Sequence, residues 1–488
     1  MAVTPTTKWQ VNGYRFLVRR MEHALVRRDV RMLHDPMRSQ SRALVVGVVV
    51  ASLGLGACGA LALFRPQDKL GDSSIVVGKD SGAMFVAYDD TLRPVLNLAS
   101  ARLIADSADK PAVVKESELD TQPRGALVGI PGAPSDLSQG SQSPWSVCDT
   151  IASGNGSVTT SVLVGDTEMH DGVGQLGESD ALLVSNSDKT YLVYDGKRAR
   201  IDLSKPSITR ALGIDDAKPR PVSKSLVNSI PEVTRIEAPA IPSSGGRPNF
   251  SLDGKKIGSV FQVHIGGDTE HYVVLKDGIQ KISKAVASLI FYDNAQGDTE
   301  MASVSADAMG DIPTTTRGLP VDDFPSDVAE VKGQGENPVS CMTWRPLGDP
   351  SESSDGVPGA TLELVAGRNL PIASDARPVR LAQADGGGDN ADEVLVASCT
   401  GGFVQATGLE PGSTRRDGIF YIADTGVRFG VKDADTAKKL GLEDEPSRAP
   451  WPMMELLAPG PALSRDAALV AHDGVTPDSE GARPDSGS

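Results

Sequence analysis

Histidine and cysteine are scarce: the chain carries 6 His and 4 Cys in 488 residues. Metal centres and acid–base catalysis draw heavily on these residue types. Only His264 and His271 lie close together in sequence, and their spacing is unlike H-E-x-x-H. A phosphate-cradling P-loop is also missing. The Gly78-Lys79-Asp80 and Gly254-Lys255-Lys256 stretches lack both the earlier glycine and the following hydroxyl, and the glycines at Gly245 and Gly246 have no lysine after them. No G-x-S-x-G nucleophile elbow is present. Two polar stretches echo each other, GDTEMH at 165–170 and GGDTEH at 266–271. Both are read as turns between strands rather than metal sites. No catalytic residue, metal ligand or cofactor-binding residue is therefore assigned.

Positive charge is also in short supply overall. The formal net charge is -16, which excludes a general nucleic-acid binder. The exception is the N-terminus, where residues 1–42 hold nine basic and three acidic side chains. Between this basic head and an acidic body runs the one long uncharged stretch, residues 43–64. At about 1.5 Å per residue it spans a bilayer core of about 30 Å.

Part of this stretch, SLGLGACGALALF at 52–64, can be read three ways. Gly54, Gly56 and Gly59 spell G-x-G-x-x-G, but the strand, helix and distant acid of a dinucleotide fold are missing around them. The residues up to Cys58 resemble a lipobox, yet the head is too long for a secretory signal and the apolar run continues past the cysteine. An uncleaved membrane helix fits best. Ser52, Gly56 and Ala60 form a ridge of small residues every four positions. Such a ridge permits close helix packing in lipid, although small residues are common in membrane helices anyway. The positive-inside rule puts the head in the cytoplasm and the acidic bulk outside.

Within the head, helical periodicity runs over 11–33. Tyr14, Leu17, Met21, Leu25 and Met32 fall on one stripe, with Phe16 beside it and basic residues including Arg19 and Arg20 along it. Pro36 is expected to end or bend this helix. The helix suits an anionic membrane surface or a groove on a partner subunit, and the residues do not separate the two.

Beyond the span, four segments share one pattern: an apolar strand, a turn rich in Asp or Gly, a short strand and a helix. They begin at Phe85, Tyr191, Tyr272 and Phe420. Their turns are Asp89-Asp90, Asp195-Gly196, Asp277-Gly278 and Asp424-Thr425-Gly426. Asp-Gly between apolar runs is a strong hairpin signal. Irregular spacing implies inserted material after the first and third units. The inserts carry Cys148 and Cys341, with Trp145 three residues before one and Trp344 three residues after the other. These cysteines can meet if the inserts form one domain outside the cell. Two free thiols, or a Cys148–Cys399 bond, are the alternatives.

The N-terminal motif resembles the EccB family, a membrane component of ESX (type VII) secretion systems. The matching positions are Gln10, Val11, Gly13, Tyr14, Phe16, Arg19, Arg20, Ala24, Leu25, Arg28, Asp35 and Pro36, followed by the span. The C-terminal segment from Phe420 to Ala468 resembles the last module of the same family, with Phe429-Gly430 where the family has Tyr-Pro. The resemblance implies a mixed α/β (α+β) protein. A cytoplasmic basic amphipathic helix (1–42) and a transmembrane helix (43–64) precede an elongated periplasmic region. That region holds repeats at 72–134, 185–235, 255–310 and 411–465. They surround a discontinuous β-rich central domain at 135–184 and 311–410, and a disordered tail covers 466–488. It further implies a disulfide between Cys148 and Cys341 and a single-pass place in the inner membrane.

The implied role is a structural, non-catalytic subunit in the periplasmic part of an export channel. Implied partners are an EccC-type motor ATPase, EccD and EccE subunits, and further copies of the chain. The family's repeats are similar to wall-binding modules of a phage lysin, which adds peptidoglycan. An envelope-side nucleotide hydrolase using ATP, or a peptidoglycan-binding anchor, are the alternatives.

Overall fold

The computed structural model describes residues 7–28, 30, 36–64, 73–154, 156–170, 172–294, 300–315, 318–327, 330–347, 359–386, 389–442 and 445–474. Two N-terminal helices come first, α1 (Lys8–Arg27) and α2 (Pro36–Phe64). A reciprocal capping box of Thr7 and Gln10 starts α1. It ends at Arg28, which adopts a left-handed conformation (φ 53°). This differs from one helix reaching residue 33. Pro36 opens the second helix instead of ending the first, because its missing N–H costs nothing at a helix start. Met32 lies outside the described residues.

All four repeats are present, and each is larger than its sequence signal. A strand precedes each recognised hairpin, making a three-stranded antiparallel meander. In repeat 1 the strands are Ile75–Gly78, Met84–Tyr88 and Thr91–Pro94. The helix Leu98–Ala105 follows, and then Ala112–Val114 runs parallel to the first strand. Repeat 3 repeats this order with Val260–Ile265, Asp268–Val274, Ile279–Ile282, the helix Lys284–Asp293 and Ala302–Ser303. A helix between the third and fourth strands is the crossover that a parallel strand needs. Repeats 2 and 4 add a fifth strand, parallel to the third, at Glu232–Val233 and Ala458–Pro459. Helix starts follow local chemistry: Asn97, Ser283 and Asp433 each accept a hydrogen bond from the N–H three residues on.

The extra strands move several boundaries. Asp180–Asn186, which straddles the expected boundary at 184/185, is the first strand of repeat 2. Gly402–Thr407, within 311–410, is the first strand of repeat 4. Thr314 pairs with Ile279 in repeat 3, and Glu330–Val331 joins the sheet of repeat 2. The central sheet proper has seven strands, from Trp145–Ile151 through Val173–Gln175 and from Val339–Pro346 through Glu393–Val396. The start of the expected tail is also ordered. The short helix Arg465–Ala468 and the strand Ala471–His472 follow repeat 4, and that strand pairs with Leu127–Val128 after repeat 1. Residues 475–488 lie outside the described residues.

Three cores join the modules. One combines the central sheet with repeats 2 and 4, a second combines repeats 2 and 3, and a third combines repeats 1 and 4. The turn glycines contribute to these junctions as well as to the hairpins. Gly196 (φ 69°) sits so close to Leu362 of the central sheet that an added Cβ would lie 2.8 Å from the Leu362 Cβ. Gly426 (φ 79°) is similarly pressed against Val394. In repeat 3, by contrast, Gly278 is absent from the left-handed positions, and its small size serves close backbone approach to Pro313. We expect Gly426→Ala to cost about 2–3 kcal/mol, combining left-handed strain with overpacking. Chemical denaturation of the purified chain measures this, with Gly82→Ala in an open turn as the comparison.

Candidate functional site

The middle of the molecule is organised by one register. Strand Trp145–Ile151 runs antiparallel to Val339–Pro346, placing Cys148 directly opposite Cys341 and Trp145 opposite Trp344. The two cysteines are disulfide-bonded. The inverted Trp and Cys spacing in the sequence is thus what an antiparallel pair requires. Three residues separate Cys from Trp, so the pairs point to opposite faces of the sheet.

The tryptophan face is thick. Trp145 and Trp344 are buried with Val147, Val162 and Met342 against repeats 2 and 4. The cystine face is thin. A small apolar cluster around Cys148 and Cys341 is flanked by polar cross-strand pairs, including Ser146 with Thr343 at 2.8 Å. The cystine therefore ties the sheet on the side where no helix layer covers it. Cys58 and Cys399 are free thiols.

Two buried carboxylates went unnoticed in the sequence. Asp149, fully buried at the end of the tryptophan face, accepts hydrogen bonds from the Ser223 N–H (2.6 Å), the Ser223 hydroxyl (2.9 Å) and the Thr160 hydroxyl (2.9 Å). Ser223 caps the short helix Lys224–Asn228, so Asp149 ties the central sheet to repeat 2. Burial pushes its carboxyl up to about 6, against the pull of the Ser223 and Thr160 hydrogen bonds, and nearby Asp392 adds to the rise. Asp392 accepts from the N–H groups of Thr160, Asp385 and Gly386. Neighbouring Ala391 donates to Leu456 of repeat 4. The only sequence cue was an Asp in an apolar strand next to Cys148.

The GGDTEH stretch forms a hairpin. Gly266 and Gly267, both at positive φ, make its two-residue turn, and residues 268–271 begin the next strand. Glu270 is occupied by Tyr272 and Lys281, and His264 by Thr269. Among the described residues, no group of three or more His, Cys, Asp or Glu is placed to hold a metal ion.

The exposed apolar surface lies at the N-terminus. Tyr14, Phe16, Leu17, Met21 and Leu25 are all exposed on α1, with Arg19 and Arg20 between them. Trp9, 86% exposed, extends this surface by another turn and was missed by the stripe read from sequence. Residues Gln40–Ala60 of α2 have a mean hydropathy of 2.2 and bury none of their length in the rest of the chain. Ser52, Gly56 and Ala60 lie along this helix with no chain packed on them, and Gly56 has open space around it. Both helices thus present apolar surface that the chain does not cover.

Comparison with known proteins agrees with this architecture. The family model described as "Type VII secretion system ESX-1, transport TM domain B" matches residues 3–477. The chain belongs to the EccB family. It is 37% identical to ESX-3 secretion system ATPase EccB3 of Mycolicibacterium smegmatis, over 98% of this chain and 93% of that protein. It is also 37% identical to ESX-1 secretion system ATPase EccB1 of Mycobacterium tuberculosis, over 98% of this chain and 97% of that one.

Among solved structures, a chain of an intact ESX-5 inner membrane complex superposes with a TM-score of 0.74 at 33% identity, covering 99% of both chains. The EccB3 dimer from the ESX-3 core complex gives 0.70 at 32% identity, covering 82% of this chain and all of that one. The mixed α+β fold, with one candidate membrane helix among the described residues, thus matches EccB structures.

Proposed function

We infer that this EccB-family chain is a structural subunit of a type VII (ESX) secretion complex in the inner membrane, with its bulk assembled on the periplasmic side. The observation that carries this is likeness over nearly the whole chain to a subunit of an intact ESX-5 inner membrane complex. A periplasmic assembly from the ESX-5 complex matches 85% of the chain, with a TM-score of 0.71. The dimer from the ESX-3 core complex supports self-association.

The finer reading rests on the charge pattern together with what the family resemblance implies. Nine basic residues in the first 42 favour a cytoplasmic N-terminus. The uncovered stripe on α1 then meets other membrane subunits of the complex, an EccC-type motor ATPase and EccD- and EccE-type subunits. The small-residue ridge on α2 packs on a neighbouring membrane helix. The outer repeats form the periplasmic channel wall and touch peptidoglycan. The chain itself works without a nucleotide or other cofactor, and the motor subunit supplies the energy. Relatives carry ATPase in their names, so hydrolysis by the purified full chain, lost on a point substitution, would overturn this last part.

The test is extraction of the tagged protein from native membranes in mild detergent, sizing on a native gel and identification of subunits by mass spectrometry. A large assembly containing a motor ATPase is the expected result. A small oligomer without partners would sink the assignment. For the head, Leu17→Glu with Leu25→Glu should leave the melting temperature of the purified chain unchanged, because both side chains are already exposed. The same pair should abolish co-purification of the other subunits, since two charges would enter an apolar interface core. Unchanged co-purification of the other subunits would instead assign the stripe to the membrane surface.

A further inference from the structure

The second polar stretch, GDTEMH at 165–170, has a different setting from its echo. It forms one rim of a cleft of about 870 Å³ on the cystine face of the central sheet. The floor is sheet: Thr150, Thr159, Val339 and Glu393. The opposite wall is the loop after strand Ala360–Gly367, which brings Leu370 and Ile372 over the edge of the cystine cluster. Two backbone bonds hold rim and wall together. The Glu168 N–H donates to the Pro371 carbonyl (3.0 Å), and the Arg368 N–H donates to the Gly172 carbonyl (2.8 Å). A rigid sheet floor with a loop wall is a common setting for ligand sites, and the volume suits a ligand of a few residues.

Two charged groups of the cleft are engaged: the Arg377 guanidinium donates to the Ser374 and Ala376 carbonyls, and the Glu393 carboxylate accepts from the Ser161 hydroxyl. Arg368, Glu168 and His170 are exposed at its rim. Among the described residues, neither the Arg368 guanidinium nor the Glu168 carboxylate has an ion-pair partner. Arg345, on the same face, is by contrast fully engaged with Glu363 and Asp166. Arg368 thus offers a fork for a carboxylate and Glu168 an acceptor for an ammonium, with an apolar wall beside them. Its lining has no Phe, Tyr or Trp, the side chains on which a sugar ring commonly stacks.

We propose that this cleft binds a short zwitterionic peptide, its carboxylate on Arg368, its ammonium on Glu168 and an apolar side chain against Leu370 and Ile372. This gives the periplasmic region a peptide-recognition site, which goes beyond the scaffold role and does not depend on it.

The test uses the full chain in detergent with the dipeptide Leu-Leu, which carries both charges and apolar side chains. Its N-acetyl and C-terminal amide forms are the comparisons. Titration calorimetry or ligand-observed NMR should detect Leu-Leu binding at concentrations of about 1 mM. Arg368→Gln should weaken it about tenfold while leaving the affinity for the amide unchanged. Glu168→Gln should do the same with respect to the acetylated form. Both residues are exposed, so neither change threatens folding. Equal binding of all three peptides, or no binding up to about 10 mM, would overturn the proposal. Acetate binding through Arg368 with no contribution from Glu168 would overturn it too, leaving a simple anion site.

Discussion

Replacing Cys148 and Cys341 together by alanine should lower the stability of the outer region by about 3–5 kcal/mol. The bond joins residues 193 apart in sequence, so in the chain-entropy model its loss releases much conformational freedom in the unfolded chain. The native state suffers as well. Both cysteines are fully buried, and alanine leaves space in a cluster that no helix layer covers. The measurement is a thermal or denaturant melt of the full chain. Cys399→Ala, which removes an exposed free thiol, is the control and should change little. Dithiothreitol should leave the native cystine intact and reduce it only once denaturant opens the sheet, because neither sulfur is accessible. An unchanged midpoint in the double variant would mean that the tryptophan face alone holds the central domain.

The second large effect concerns Asp149. Its carboxyl is raised to about 6, against an ordinary value of about 4 in the unfolded chain. Below about pH 4 both states hold the proton, and burial of the neutral acid carries no charge penalty. Between about pH 4 and 6 the unfolded state loses its proton while the folded state keeps it. The folded chain then binds more protons, and stability falls as pH rises. By about pH 7 the loss from this group amounts to roughly 3 kcal/mol and changes no further.

Asp149→Asn should remove that fall. An amide oxygen can still accept from Thr160 and the Ser223 hydroxyl, but the Ser223 N–H at 2.6 Å then faces an amide nitrogen. Asp149→Ala should cost about 2–4 kcal/mol below about pH 4, since it leaves the Ser223 N–H and the Ser223 and Thr160 hydroxyls without their acceptor, and the difference from wild type should shrink as pH rises from about 4 to 6, where only the wild-type chain loses stability. Denaturant titrations at several pH values distinguish the three forms. A wild-type curve that shows no fall attributable to Asp149 between about pH 4 and 6 would show that the buried site holds its charge freely.

The sequence by itself determined what depends on neighbours along the chain. A membrane span is a uniform composition over 22 residues, and no tertiary contact is needed to recognise it. The hairpins were legible because Asp195-Gly196 and the Gly426 turn require backbone shapes that few residues accept. Helix starts at Asn97, Ser283 and Asp433 are equally local.

The tertiary structure decided what depends on distant partners. Strands of two residues, such as Arg220–Pro221 and Ala302–Ser303, are too short to carry any periodicity. They exist only because the first strand of each repeat offers a free edge, and so the module boundaries moved. The pairing of Cys148 with Cys341 needed the register of two strands that the sequence separates widely. Asp149 looks like any surface acid until Ser223 and Thr160 close around it. The cleft beside the cystine exists only because a loop and a polar stretch some 200 residues apart in the chain meet over one sheet face. Local sequence fixes the shape of each piece, but burial and register depend on which pieces meet.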